Sequence, residues 1–314
     1  MASTENHAGK QGRTQRVGMV GIGLMGHGIA GNIVRKGWPL AVLEHAGNQP
    51  LADLLAAGAT RCASAAELAA GSDIVLLCVS GSPQVEAVLL GAGGVLAGLR
   101  PGSVVIDCST AVPASTERVA EAVRKAGGRF MDAAMTRTPK EAAEGRLNLL
   151  VGSDAALLAE MRPLLECFAE NIFHAGPVGA GHRMKLLHNF VSLGSVCLIA
   201  EAAACAERAG IDAAVLVDVL ARGGGGGAAL ERLKPYLLAR DASGLRFSIV
   251  NAAKDLGYYN EMAEDTGAEQ GIARAVLATL ATALGESTPQ TLLPELVGLL
   301  SERGADTLRQ RRTA

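Results

Sequence analysis

The chain has 314 residues, enough for one large or two ordinary domains. Hydrophobic residues make up 49% and aromatics only 3%, so its cores must be built from Ala, Leu and Val. A formal charge of −2 gives no electrostatic case for nucleic acid or an anionic membrane, and six scattered cysteines without a C-x-x-C pair argue for reduced thiols over a disulfide framework or a zinc site.

Residues 1–15 are polar and lack an apolar stretch, so they read as a disordered leader and not a signal peptide. Residues 16–21 (RVGMVG) read as a short buried strand. Gly21, Gly23 and Gly26 follow in G-x-G-x-x-G spacing and open an amphipathic helix that Gly37 can end. One glycine makes the tight turn, one admits a pyrophosphate to the backbone, and one lets helix pack on strand. Leu24 and Met25 lie in the same loop, whose helix N-terminus offers N–H groups to phosphate. A second strand, 40–44, ends in Glu44, where a carboxylate can hold the adenosine ribose hydroxyls and repel an extra phosphate. The cofactor expected is therefore NAD, with NADP less favoured.

Helix 48–57, strand 59–62 and helix 64–70 follow, the last opened by a Ser64/Glu67 capping box. Residues 73–79 (DIVLLCV) read as a strand buried on both faces, and a turn at 80–83 leads to another helix. Strand 103–107, helix 113–126, strand 129–132 and strand 147–152 complete this half. Such alternation predicts an α/β, Rossmann-type doubly wound and mostly parallel sheet over 16–178. Ligands in such sheets sit outside the carboxyl ends of the strands, which places Ser80, Gly81, Ser109 and Thr110 at the cofactor crevice. Helix N-capping is the alternative role for these hydroxyls.

The stretch GPVGAGHRMKLLHN at 176–189 is a glycine-rich turn running into an apolar helix. Lys185, His188 and Asn189, at i, i+3 and i+4, share one face of it. The spacing predicts a long interdomain helix within 179–209, running from Lys185 to about Arg208. Its apolar centre is interrupted by polar residues, which favours a buried helix over a membrane span. Helices at about 213–221, 228–240, 246–265, 269–284 and 290–303 make 210–314 an all-α domain. The Gly223–Gly227 run reads as a flexible connector, and Arg309, Arg311 and Arg312 as a solvated tail. No His with Asp or Glu has metal-ligand spacing, and no Ser-His-Asp order emerges.

Several blocks in order resemble the β-hydroxyacid dehydrogenase family, which includes 3-hydroxyisobutyrate dehydrogenases, tartronate semialdehyde reductases and, more distantly, 6-phosphogluconate dehydrogenases. They are GIGLMGHGIAGNIVRKG at 21–37, DCST at 107–110, FMDAAMTRTPKEAAEGRLNLLVGS at 130–153, the 176–189 stretch, and AAKDLGYY at 252–259. The resemblance covers roughly 16–300. It implies that Lys185 is the acid–base lysine, that Asn189 and His188 hold substrate, and that Lys254 lies by the cofactor. In the reaction so implied, a small acidic substrate exchanges a hydride with nicotinamide while Lys185 handles the hydroxyl proton. Many members carry Ser-Gly-Gly where this chain has Thr136-Arg137-Thr138. That loop is similar to the sulfolactaldehyde reductase branch, implying that Arg137 and Thr138 bind a sulfonate or a differently presented carboxylate. A homodimer or homotetramer is also implied, and the reduced thiols point to the cytoplasm. The competing expectations are an NAD-binding protein without chemistry and an imine reductase; both predict loss of the lysine, and Lys185 is present.

Overall fold

The structure, a computed structural model, describes residues 14–303. The basic tail and all but the last two residues of the expected leader lie outside the described residues. By backbone contacts the chain divides into two compact units, at Lys185 and Leu186.

In the first unit strands and helices alternate. They are β1 (Val17–Val20), α1 (Leu24–Arg35), β2 (Leu40–Leu43), α2 (Ala52–Ala56), β3 (Thr60–Cys62), α3 (Ala65–Ala70), β4 (Ile74–Leu77) and α4 (Ser82–Leu90). The short α5 (Val95–Gly98), β5 (Val104–Asp107), α6 (Pro113–Lys125), β6 (Arg129–Thr136) and α7 (Pro139–Glu144) come next. Then follow β7 (Leu147–Gly152), α8 (Ala155–Leu165) and β8 (Ala169–Gly176). The eight strands form one sheet in the order β3-β2-β1-β4-β5-β6-β7-β8, parallel except where β7 runs against β6. Strands buried on both faces build two cores. Ile74 and Leu76 of β4 join one apolar cluster, whereas Val75 and Leu77 join the other.

Four elements differ from expectation. β6 continues to Thr136, four residues beyond the expected 129–132. α8 and β8 occupy a stretch for which no element is expected, so Gly176 ends a strand where a turn is expected. Helix 48–57 shrinks to the single turn and a half of α2.

α9 (Ala180–Arg208) is 29 residues long and starts five residues before Lys185. It is the one described helix long and apolar enough to cross a membrane, yet half of its apolar window is buried inside the protein. In the second unit its residues Leu193, Val196, Cys197 and Ala200 enter an apolar core. That core is completed by α10 (Ala213–Arg222), α11 (Ala228–Ala239), α12 (Ile249–Asp265) and α13 (Gly271–Leu284), with a helical stretch over 296–303. Ser248 and Asp212 cap α12 and α10 by accepting backbone N–H bonds.

Candidate active site

The glycine loop after β1 divides its labour as its spacing predicts. Gly21 has φ +92°, and a Cβ there would stand 2.2 Å from the Cys78 carbonyl, so the turn admits only glycine. A Cβ on Gly26 would stand 1.9 Å from the Gly21 carbonyl, so α1 sits directly on the loop. Gly23 is different: a Cβ there would meet nothing within 4 Å. Gly23 is also the N-cap of α1, with no side-chain cap and no acidic residue in the first turn. Its open backbone and bare helix terminus fit a pyrophosphate. Leu24 is exposed and Met25 half-buried beside it. Asn32, deep in α1, donates to the Ala142 carbonyl at 2.8 Å and satisfies the end of α7.

Glu44 stands exposed just past β2, with its carboxylate 2.9 Å from Nη1 of Arg61 on β3. Gly81 caps α4 with no side chain, giving a second bare helix terminus. Ser80 is exposed and Thr110 half-buried. Ser109 is buried, and its hydroxyl accepts the Val79 N–H at 3.0 Å. Its position therefore ties the ends of β4 and β5 together.

Each residue of the 136–138 segment has an internal partner. Thr136 is the buried last residue of β6, and its hydroxyl accepts from Asn148 at 3.1 Å. Thr138 is the N-cap of α7, in a capping box with Glu141. Arg137 donates from Nη1 to Glu170 and to the Arg146 carbonyl. Arg137 thus has an internal carboxylate as its partner. Its φ of +84° explains the exchange: the backbone keeps a conformation that suits glycine, while the side chain turns to the sheet edge.

On α9, Lys185 is half-buried and Asn189 is buried. Asn189 donates from Nδ2 to Asp255 Oδ2 at 2.6 Å. An ionised carboxylate only accepts, which fixes the amide so that Oδ1 faces Nδ1 of His188 at 3.0 Å. Nδ1 of His188 then carries a proton, and Nε2 is its other nitrogen. The second N–H of the Asn189 amide has no partner in these bonds and can donate to a substrate oxygen. Lys254 Nζ lies 3.1 Å from Asp255 Oδ1 and 5.4 Å from the Tyr258 ring centroid. Lys254, Asp255, Asn189 and His188 thus form one chain of polar contacts in the second unit. Asp255 is the member that sequence reasoning missed, although it stands next to Lys254 in the KDL block.

The start of α9 is held from below. Both oxygens of buried Asp132 accept N–H groups there, from Gly179 at 2.6 Å and His182 at 2.8 Å. A buried carboxylate thus satisfies two otherwise orphaned donors and faces the positive end of the helix. Among the described residues no group of three or more His, Cys, Asp or Glu could hold a metal.

Comparison with known proteins agrees with this architecture. Residues 16–176 match the family described as the NAD binding domain of 6-phosphogluconate dehydrogenase, and residues 179–296 the one described as NAD-binding of NADP-dependent 3-hydroxyisobutyrate dehydrogenase. An NAD-dependent L-serine dehydrogenase of Pseudomonas aeruginosa is 35% identical over 257 residues, covering 80% of this chain and 86% of the relative. The chain belongs to the β-hydroxyacid dehydrogenase family. A 3-hydroxyisobutyrate dehydrogenase of the same organism is 34% identical over 222 residues, covering 70% of this chain and 74% of that one. Among solved structures, a Mycobacterium tuberculosis 3-hydroxyisobutyrate dehydrogenase with L-serine has a TM-score of 0.81 at 26% identity, covering 92% of this chain and 99% of that chain. Family membership makes a nicotinamide dinucleotide the cofactor.

Proposed function

We propose that this enzyme interconverts a small 3-hydroxy carboxylate and its aldehyde or ketone, with Lys185 as the acid–base group. Its class follows from the family: an NAD(P)-dependent oxidoreductase acting on CH–OH. The observation that carries the residue assignment is the shared face of α9. Lys185 lies one turn before Asn189, and Asp255 holds the Asn189 amide with one N–H to spare. When bound, the nicotinamide takes or supplies the hydride. Lys185 Nζ takes the hydroxyl proton in oxidation and returns it to the carbonyl oxygen in reduction. Asn189 and His188 orient that oxygen, and an oriented donor of this kind contributes most as charge develops on it.

A carboxylate substrate is favoured over a sulfonate because Glu170 already holds Arg137. Glu44 supports NAD over NADP, since its carboxylate repels a 2′-phosphate. Leu187, Val191 and Leu198, all exposed on one face of α9, support a homo-oligomer. The test is a panel of 3-hydroxyisobutyrate, L-serine, glycerate, tartronate semialdehyde and sulfolactaldehyde, each with both cofactors. Turnover of a carboxylate with a preference for NAD is expected. NADH binding without turnover of any of them would leave a binding protein that does no chemistry.

A further inference from the structure

His182 stands in the first turn of α9, three residues before Lys185 and on the same side of the helix. Its side chain is completely buried. Nδ1 lies 2.7 Å from Oγ1 of Thr116 on α6. That hydroxyl has one proton, which it donates to the Val112 carbonyl at 3.1 Å. Thr116 therefore accepts from His182, and Nδ1 carries a proton. Nε2 faces Asp107 Oδ2 at 4.0 Å. Both of these atoms are buried without a hydrogen-bond partner. The other Asp107 oxygen accepts the Ser109 N–H at 2.9 Å.

Two bare acceptors buried face to face are unfavourable. One proton between them removes the conflict, either as imidazolium against carboxylate or as imidazole against carboxylic acid. Charge counting points the same way. β5 and β6 place Asp107 and Asp132 side by side in register. Asp132 accepts two N–H bonds from α9, the work of an ionised carboxylate. A second uncompensated carboxylate beside it would be costly, and burial pushes the Asp107 carboxyl up from its ordinary value. The other titratable groups near Asp107 are the thiols of Cys78, which burial pushes up to about 12, and Cys108, pushed up by burial as well; both are neutral at physiological pH.

We infer that His182 and Asp107 hold one shared proton, and that this pair positions the first turn of α9 and with it Lys185. Asp132 grips the backbone of His182 while Asp107 grips its ring. A closure of about 1 Å brings Nε2 and Oδ2 to hydrogen-bond distance. His182 is a positioning residue: it acts on the reaction only through Lys185, so this part of the inference rests on the function proposed above.

The test combines ring spectroscopy with kinetics on the full chain. In ¹H–¹⁵N spectra of histidine-labelled protein, the resonance lost in His182→Gln belongs to His182. It is expected to show a protonated Nδ1 at neutral pH. In Asp107→Asn the amide donates to Nε2 and the ring is a neutral tautomer with an acceptor Nε2, so its ¹⁵N shift moves when the wild-type proton sits on the ring and holds when it sits on the carboxylic acid. A bare Nδ1 in the wild type would overturn the shared proton. In kinetics, His182→Ala is expected to lower kcat by roughly 10–100-fold with cofactor affinity unchanged. Wild-type kcat in His182→Ala would overturn the positioning role. Should His182→Ala fail to fold, His182→Gln takes its place, with a smaller loss of kcat at unchanged cofactor affinity expected and wild-type kcat overturning the role. Lys185→Ala separates the two readings, because it removes the acid–base group and leaves the ring spectrum in place.

Discussion

Arg137 shows how one residue can satisfy two demands at once. Its backbone keeps φ +84°, and its guanidinium serves Glu170 and the Arg146 carbonyl. A glycine there would relieve the backbone and lose the ion pair, two effects of similar size and opposite sign. Arg137→Gly is therefore expected to leave both the melting temperature and the substrate preference nearly unchanged, as thermal melts and KM values across the panel would show. A large rise in KM for acids would restore Arg137 as their anchor. Asp73 makes a different prediction. Its carboxyl is held below the ordinary 3.8 by the Arg16 N–H and by the Arg100 guanidinium. A depressed carboxylate stabilises above its unfolded pKa, and that contribution is lost as pH falls through the folded value. Asp73→Asn should thus lower the urea midpoint at pH 7, and the gap from wild type should close in acid below the ordinary carboxylate range. A gap that stays constant with pH would contradict the assignment. At this scale helical spacing sufficed to set Lys185, His188 and Asn189 on one face of α9. Their partners were not legible: Asp255 lies 66 residues from Asn189, and Asp107 is 75 from His182, so only the folded chain pairs them.

Among elements, the glycine loop was the most legible, because Gly21 and Gly26 answer steric demands that sequence spacing encodes while Gly23 leaves open space. The demands also differ in kind, which makes them separable. Gly26→Ala drives a methyl into the Gly21 carbonyl and should unfold the protein at lower temperature. Gly23→Val points into open space, so the melting temperature should hold while NADH affinity falls by roughly tenfold or more. NADH fluorescence titration and thermal melts on the two variants distinguish these outcomes; equal affinity in Gly23→Val would remove the pyrophosphate from this loop. α8 and β8 were illegible for physical reasons. Pro163 falls inside α8, where it reads as a breaker. β8 is an edge strand that exposes most of its side chains, so it lacks the apolar run or alternation that marks a strand. The true start of α9 was hidden too, since Ala180–Met184 mixes glycine with polar residues; Asp132 supplies the cap from another strand.

For the whole molecule, composition and alternation sufficed to read an α/β sheet unit followed by helices, and the family blocks spanned both. Association of copies is a proposal that rests on the surface and not on composition. Leu187, Val191 and Leu198 leave an apolar face on α9 that a monomer would expose. Sedimentation velocity should find a dimer or tetramer, and Val191→Asp with Leu198→Asp should shift it towards monomer while the fold persists by circular dichroism. The central claim is nevertheless chemical and rests on one amine. Its most direct test is kcat of Lys185→Ala on the best substrate of the panel, measured with NADH affinity on the same preparation. The account predicts a loss of roughly two orders of magnitude or more with affinity unchanged; a variant that turns over at the wild-type rate would contradict it.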